Sequence, residues 1–435
     1  MASLPLEGIR IIELTEVWAG PMGTSLLGDL GAQVIKVESY PRAPMTRPST
    51  VPPGRRGFPD TPAAYDRPWD ASASHNLSNR NKMGIAVNLR TPQGLAALKD
   101  LVRTSDVLVE GYSAGTMARL GIQYDALHQE RPDLVMVSMP GWGSDGPYHR
   151  YVTLGSGLDA FSGHWILRQY RDADPSEVLP VFHTDATAAL SLVFAVVSAL
   201  FYRQNTGKGQ WIDLSQAEAF LSHLSKPIMD YAMNGRSAQT IANRNTSRAP
   251  QGVYPSKGDD KWIAISVRND KDWEALSKII GGEELVGDTR FQDALSRLKY
   301  QDDLDILISA WTSQQDQFEA MYMLQSVGVP SGAIRDEGEI LSDPHLTNRG
   351  FFQQVSHPVA GIRYHPGQLW RFNDVQAKPH IRANMLGEHN NYVFGELLGR
   401  LSSEVDFLKA DGIIGDSYKQ DADFDSQGRN AHNTT

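Results

Sequence analysis

Asp185, in the run His183-Thr184-Asp185, stands where a long uncharged stretch, Ala186 to Tyr202, begins. An aspartate there has two uses. As an N-cap, its side chain accepts hydrogen bonds from the first free N–H groups of a helix. The helix dipole also favours the carboxylate anion. Held in a cleft with few other partners, that carboxylate is a nucleophile, and the same N–H groups can meet an oxyanion formed in acyl transfer. A second set of residues is cationic. Arg80, Lys82 and Arg90 flank one apolar run, and Arg119 follows Glu110-Gly111-Tyr112. An aromatic such as Tyr112 beside arginines suits a nucleotide: a ring face for a base and guanidinium forks for phosphates. Solvated surface charge is the alternative for each of these cations.

Other chemistries lack their residues. The 435-residue chain has no cysteine, which removes disulfides, thiolate nucleophiles, Cys-ligated zinc and iron–sulfur clusters. The turn Ala19-Gly20-Pro21-Met22-Gly23-Thr24 is not G-x-G-x-x-G, and Pro21 removes a donor that a phosphate would use. No Walker A run and no G-x-S-x-G occurs, and the twelve histidines form no H-E-x-x-H pair, so nothing argues for a metal. A net charge of −10 argues against broad nucleic-acid binding.

The elements that must position these residues alternate. Ile9 to Leu14 reads as a strand, Met22 to Leu30 as a helix and Gln33 to Val37 as a second strand. After an irregular segment, 39–74, the alternation resumes. Strands are expected at Ile85–Leu89, Val107–Glu110, Leu134–Met139 and Gln210–Leu214. Helices are expected from Pro92 to about Leu101, over Ala114–Arg119 and after Asp185. Such units build parallel sheets. The middle changes character: strands at Gly252–Tyr254 and Trp262–Val267 precede helical patterns at Lys271–Ile280, Ser296–Thr312 and Gln317–Ser326. The expected division is a large domain over 1–225, a linker over 226–243, a small α+β domain over 244–343, a return to the large domain over 344–415 and a mobile tail over 416–435. Ala186–Tyr202 falls short of a membrane span and is expected as a buried core helix. Met1–Leu6 lacks the pattern of a secretory signal, so a cytoplasmic location with no membrane partner is expected.

Several runs, in order along nearly the whole chain, resemble the family III CoA-transferases, which include formyl-CoA:oxalate and carnitine CoA-transferases. They include Leu14-Thr15-Glu16-Val17-Trp18-Ala19-Gly20-Pro21, Leu30-Gly31-Ala32-Gln33-Val34-Ile35-Lys36-Val37-Glu38, Asn81-Lys82 and Asn88-Leu89-Arg90. Arg119-Leu120-Gly121, Gly141-Trp142-Gly143, Thr206-Gly207-Lys208-Gly209-Gln210 and Leu386-Gly387-Glu388-His389 continue the match. The resemblance implies a Rossmann-like large domain built from both chain ends, a smaller domain, and two interlocked subunits. It places a nucleophilic aspartate at Asp185. It places CoA contacts at Val17, Leu89, Arg90, Tyr112 and Arg119, and Trp18 and His183 in the substrate pocket. CoA and acyl-CoA then serve as substrates, with no metal. The implied path is a mixed anhydride on Asp185, then an aspartyl-CoA thioester, then transfer to an acceptor carboxylate.

Departures bear on the acceptor. Trp18 stands where oxalate-type enzymes carry glutamine, Ser39 where an arginine often lies near CoA, and Gly111 where asparagine is common. Asn243–Tyr254 lacks the oxalate enzyme's run of glycines. A medium-sized acceptor, aromatic or dicarboxylic, is therefore expected, with succinyl-CoA or acetyl-CoA as donor. The 39–74 segment either encloses that acid or is a surface insertion or dimer arm. Two other readings remain. An acyl-CoA racemase of the same fold would use a His/Asp pair, but its histidine is missing from Leu154–Asp159. The chain is otherwise a homodimer or one subunit of a heteromer with a related chain.

Overall fold

The computed structural model describes residues 3–418 except 49, 51, 53, 171, 180 and 376–379. The tail expected over 416–435 lies outside the described residues from 419 onward. Six strands form one parallel sheet: β1 (Arg10–Leu14), β2 (Gln33–Ser39), β3 (Lys82–Val87), β4 (Val107–Glu110), β5 (Val135–Ser138) and β6 (Gln210–Asp213). Their order is β3-β2-β1-β4-β5-β6. The order reverses direction between β1 and β4, whose register pairs Leu14 with Glu110. In open α/β sheets the crevice outside the carboxyl ends at such a switch point is where ligands bind.

Strands covered on both faces read as continuous apolar runs, as Val107-Leu108-Val109 does, each residue fully buried. The helices that matter to the site are α1 (Ala19–Asp29), α2 (Pro92–Arg103), α3 (Gly155–Phe161) and α4 (His183–Thr206). On one face, Leu26, Leu27, Leu192 and Val196 of α1 and α4 pack on Ile11, Val34, Val109 and Val137. On the other, Leu98 and Leu101 of α2, with Phe394 and Leu408, pack on Ile12, Ile35, Leu108 and Met136. Helices α1 and α4 touch closely at Gly23, where a Cβ would lie 2.8 Å from the Leu192 side chain and 2.9 Å from the Ala189 carbonyl. By length and composition α4 could cross a membrane, but core helices share that property, and Ala188, Ala189, Leu192 and Val196 are fully buried against the sheet.

Among the described residues, the larger compact unit takes those up to Gly163, the α4 region through Met229, and those from Gly350 to Tyr418. The C-terminal part is tied into the sheet unit: the Asn88 N–H donates to the Ile413 carbonyl at 2.7 Å. The smaller unit combines Asp230–Arg349 with His164–Leu179, a stretch the sequence reading assigned to the large domain. It holds an antiparallel sheet of β7 (Gln251–Pro255), β8 (Trp262–Ser266) and β9 (Ser331–Ile334), with longer helices at Asp270–Val286, Gln301–Thr312 and Gln317–Ser326. The stretch expected as a linker, 226–243, is mostly not extended: helix Ser225–Asn234 fills its first half.

The 39–74 segment also differs from the irregular loop expected. Its second half winds into short helices at Pro62–Asp66, Pro68–Ala71 and Ala73–Ser78, two of them opened by proline at the first turn. Arg47 anchors the first half. It is fully buried, bonds both oxygens of Glu38, and donates to Asp70 Oδ1 at 2.7 Å and to the Asn384 carbonyl at 2.9 Å.

Candidate active site

The site begins at the first turn of α4. Phe182 holds the N-cap position in the left-handed conformation (φ 52°), and its side chain caps nothing. Asp185 is therefore not the N-cap that a local reading suggests; it lies within the first helical turn. The capping work falls to Asp159 of α3. Its Oδ1 accepts from the Thr184 N–H at 3.2 Å and from the Thr184 hydroxyl at 2.6 Å. Asp159 is fully buried, and its Oδ2 has no hydrogen-bond partner. Within Leu154–Asp159 the sequence offers a missing histidine but no sign of this role for Asp159. An aspartate four residues into a short helix gives no local signal of capping another one.

Relieved of capping, Asp185 is nearly buried, at 7% exposure, with no partner for Oδ2. Burial pushes its pKa up to about 6, and the nearby Asp159 adds to the rise. The backbone N–H groups of Ala19 and of Asp185 itself act the other way. The result is a carboxylate more basic than usual yet ionised at neutral pH, which suits a nucleophile. Gly155 makes the space. A Cβ there would lie 1.6 Å from Asp185 Oδ2, so any larger residue would drive into the carboxylate.

The turn after β1 brings the next residues. Val17 is left-handed (φ 69°), a conformation a β-branched residue rarely adopts. Trp18 precedes α1 and meets Phe182 edge-on, with ring centroids 6.2 Å apart and planes at 83°. Trp18 thus abuts the residue that starts α4, and Ala19 reaches Asp185. His183 is exposed at the first position of α4. Two residues from Asp185 on a helix, it points to a different side.

The residues assigned to CoA follow β1, β3 and β4, at the carboxyl ends of strands of the one parallel sheet. Leu89 and Tyr112, just beyond β3 and β4, pack against the α2-side core. Burial pushes the Tyr112 phenol well above its usual range. Arg90 and Arg119 are exposed, and Arg119 donates to the Thr116 hydroxyl at 2.7 Å. Neither enters an ion pair among the described residues, so both guanidinium groups are open to an anion. Arg80 and Lys82, offered by the sequence as further cations, are not. Both are buried at the opposite, amino end of β3, where Arg80 binds Asp29 at 2.7 Å and Lys82 binds Glu13 at 2.8 Å. Linear spacing cannot separate the two ends of a strand once a side chain folds inward.

The description "CoA-transferase family III" belongs to a family model that matches residues 6–390. The chain belongs to CoA-transferase family III. As a family III enzyme it is a CoA-transferase, with an acyl-CoA donor and a carboxylic acid acceptor as substrates. It is 31% identical over 410 residues to a succinyl-CoA–D-citramalate CoA-transferase of Chloroflexus aurantiacus, covering 94% of this chain and 98% of that one. It is 28% identical over 413 residues to a succinyl-CoA:glutarate CoA-transferase of Mus musculus, covering 94% and 90%. A crystal structure of a CAIB/BAIF family protein from Brucella suis superposes with a TM-score of 0.81 at 28% identity, over 91% of this family III chain and 100% of that one.

Proposed function

We propose that this chain transfers CoA from succinyl-CoA to a dicarboxylic acid larger than oxalate, with Asp185 as the covalent nucleophile. The observation that carries the reading is the Asp185 carboxylate itself: nearly buried, with Oδ2 unpartnered, in the first turn of α4 and beside Gly155. The relatives named for citramalate and glutarate support the acceptor class.

In the first step an Asp185 oxygen attacks the thioester carbonyl carbon. The C–S bond breaks, a mixed anhydride forms and CoA leaves as thiolate. The thiolate then attacks the Asp185 carbonyl, the anhydride C–O bond breaks, and the donor acid departs as its carboxylate. The acceptor carboxylate attacks the aspartyl thioester and expels thiolate again. Thiolate attack on the acceptor's acyl carbon yields the new acyl-CoA and restores the Asp185 carboxylate. No proton or water is consumed, so burial of Asp185 serves to exclude hydrolysis. Carboxylate is a weak nucleophile for a thioester, so placement and the helix N-terminus must supply most of the rate.

In this reading Arg90 and Arg119 bind CoA phosphates, while Val17, Leu89 and Tyr112 line its path. Trp18 shapes the acid pocket, and His183 stands at its rim. The dimer belongs to the same proposal. Leu190, Phe194, Val197 and Phe201 are exposed on α4 at positions i, i+4, i+7 and i+11, an apolar stripe suited to a second subunit, identical or related. The cytoplasmic location remains part of this reading.

Covalent trapping tests the chemistry. The protein is incubated with succinyl-CoA, quenched with hydroxylamine and digested. A hydroxamate on the Asp185 peptide, absent in Asp185→Asn, is expected. Turnover without any adduct on that peptide would sink the reading.

A further inference from the structure

Three charged side chains lie buried beneath the turn that carries Val17, Trp18 and Ala19, and none has a part in the steps above. Glu13 of β1 is fully buried. Lys36 Nζ meets its Oε1 and Lys82 Nζ its Oε2, each at 2.8 Å. The hydroxyls of Thr15 and Thr24 donate to the same carboxylate at 2.7 and 2.8 Å. Burial alone would raise Glu13, but the two ammonium groups overcome it and hold the acid at about 2. Burial pulls Lys82 down to about 7 against the pull of Glu13, with Lys36 and Arg80 also lowering it. Yet four oxygens surround its Nζ: Glu13, Pro21 O at 2.7 Å, Ser78 O at 3.1 Å and Asn79 Oδ1 at 3.0 Å. Only the three donors of an ammonium can serve so many acceptors.

Two of the contacts leave the cluster for the turn. Lys36 donates to the Thr15 carbonyl at 2.8 Å and Lys82 to the Pro21 carbonyl at 2.7 Å. Thr15 and Pro21 bracket the turn on either side. Within it Val17 is held left-handed, and a Cβ on Gly20 would lie 2.4 Å from the Thr15 side chain. Such a conformation persists only where its surroundings over-determine it. Buried ion clusters are weak contributors to stability compared with packed apolar groups, which leaves the fixing of this turn as their consequence.

We propose that Glu13, Lys36 and Lys82 are positioning residues of the transfer site: by clamping the Thr15 and Pro21 carbonyls they hold the Ala19 N–H against the Asp185 carboxylate. The inference rests on Asp185 as nucleophile. Around Asp185 the charged neighbour is Asp159 on α3; around the cluster they are Arg80, itself held by Asp29, Glu16 of the turn, which feels Lys36, and His75, which burial and the nearby cations hold well below its usual range. Loss of the clamp withdraws the Ala19 donor, which lowers the Asp185 pKa in the intact site. The nucleophile then ionises at higher pH.

The test follows the rate of hydroxylamine-trappable adduct on Asp185 against pH, with succinyl-CoA, in wild type, Lys36→Met and Glu13→Gln/Lys36→Met. The double variant removes a charge of each sign and stands in if the single one does not fold. A folded variant should show its pH midpoint raised by roughly half to one unit, with a plateau rate lower by about tenfold or more. A slower rate at an unchanged midpoint would mark a merely structural role and overturn the proposal. So would failure of both variants to fold. Absence of adduct in the wild type would instead overturn the reading of Asp185.

Discussion

Asp185 shows how one carboxylate is set apart from an ordinary helix-terminal aspartate. A second aspartate, Asp159, takes over the capping bonds, and Gly155 leaves a space into which only hydrogen fits. The arrangement opposes stability. The folded-state pKa is raised to about 6 from 3.8, so the fold prefers the protonated acid, and ionisation weakens it as pH rises through that interval. Asp185→Asn should therefore be more stable than wild type near pH 8, by about 1–3 kcal/mol, and melt at a higher temperature. The gain should fade towards pH 4, where both forms are neutral; melts across the range, with activity abolished throughout, check it. Gly155→Ala tests the space. Its methyl group would displace the carboxylate, and adduct formation should fall by about a hundredfold, with the far-ultraviolet circular dichroism spectrum unchanged.

At the scale of elements, the strands and helices lie close to where periodicity places them, because each is declared by its own residues. Val107–Glu110 is a strand by its apolar run, and Pro92 with Thr91 opens α2, the Thr91 hydroxyl accepting from the Gly94 N–H at 3.1 Å. The 39–74 segment was not legible in this way. Its order comes from Arg47, whose partners Glu38, Asp70 and Asn384 lie up to 337 positions away. Arg47→Met should leave the buried Glu38 carboxylate without a cation and Asp70 with Arg67 alone, and destabilise the larger unit by about 3–5 kcal/mol, measured by urea unfolding. If unfolding is unaffected, the segment is not anchored by this ion cluster.

For the whole molecule, the strand order and the apolar stripe on α4 carry the argument. If a second subunit covers that stripe, Phe194→Asp, at a residue 75% exposed in the single chain, should shift the protein from dimer to monomer in light scattering; an unchanged mass would place the interface elsewhere. The α/β alternation, the apolar core of each strand, the absence of cysteine chemistry and, through ordered motifs, the transferase family are legible along the chain. Those signals are local or survive as patterns along the chain. Folding in three dimensions is what makes Asp159 cap α4, sets Gly155 against Asp185, turns Lys82 and Arg80 inward from the amino end of β3, and joins His164–Leu179 to the smaller unit. Each depends on which distant residue arrives at the same place, and that is set by packing and by hydrogen-bond satisfaction in the folded chain rather than by spacing along it.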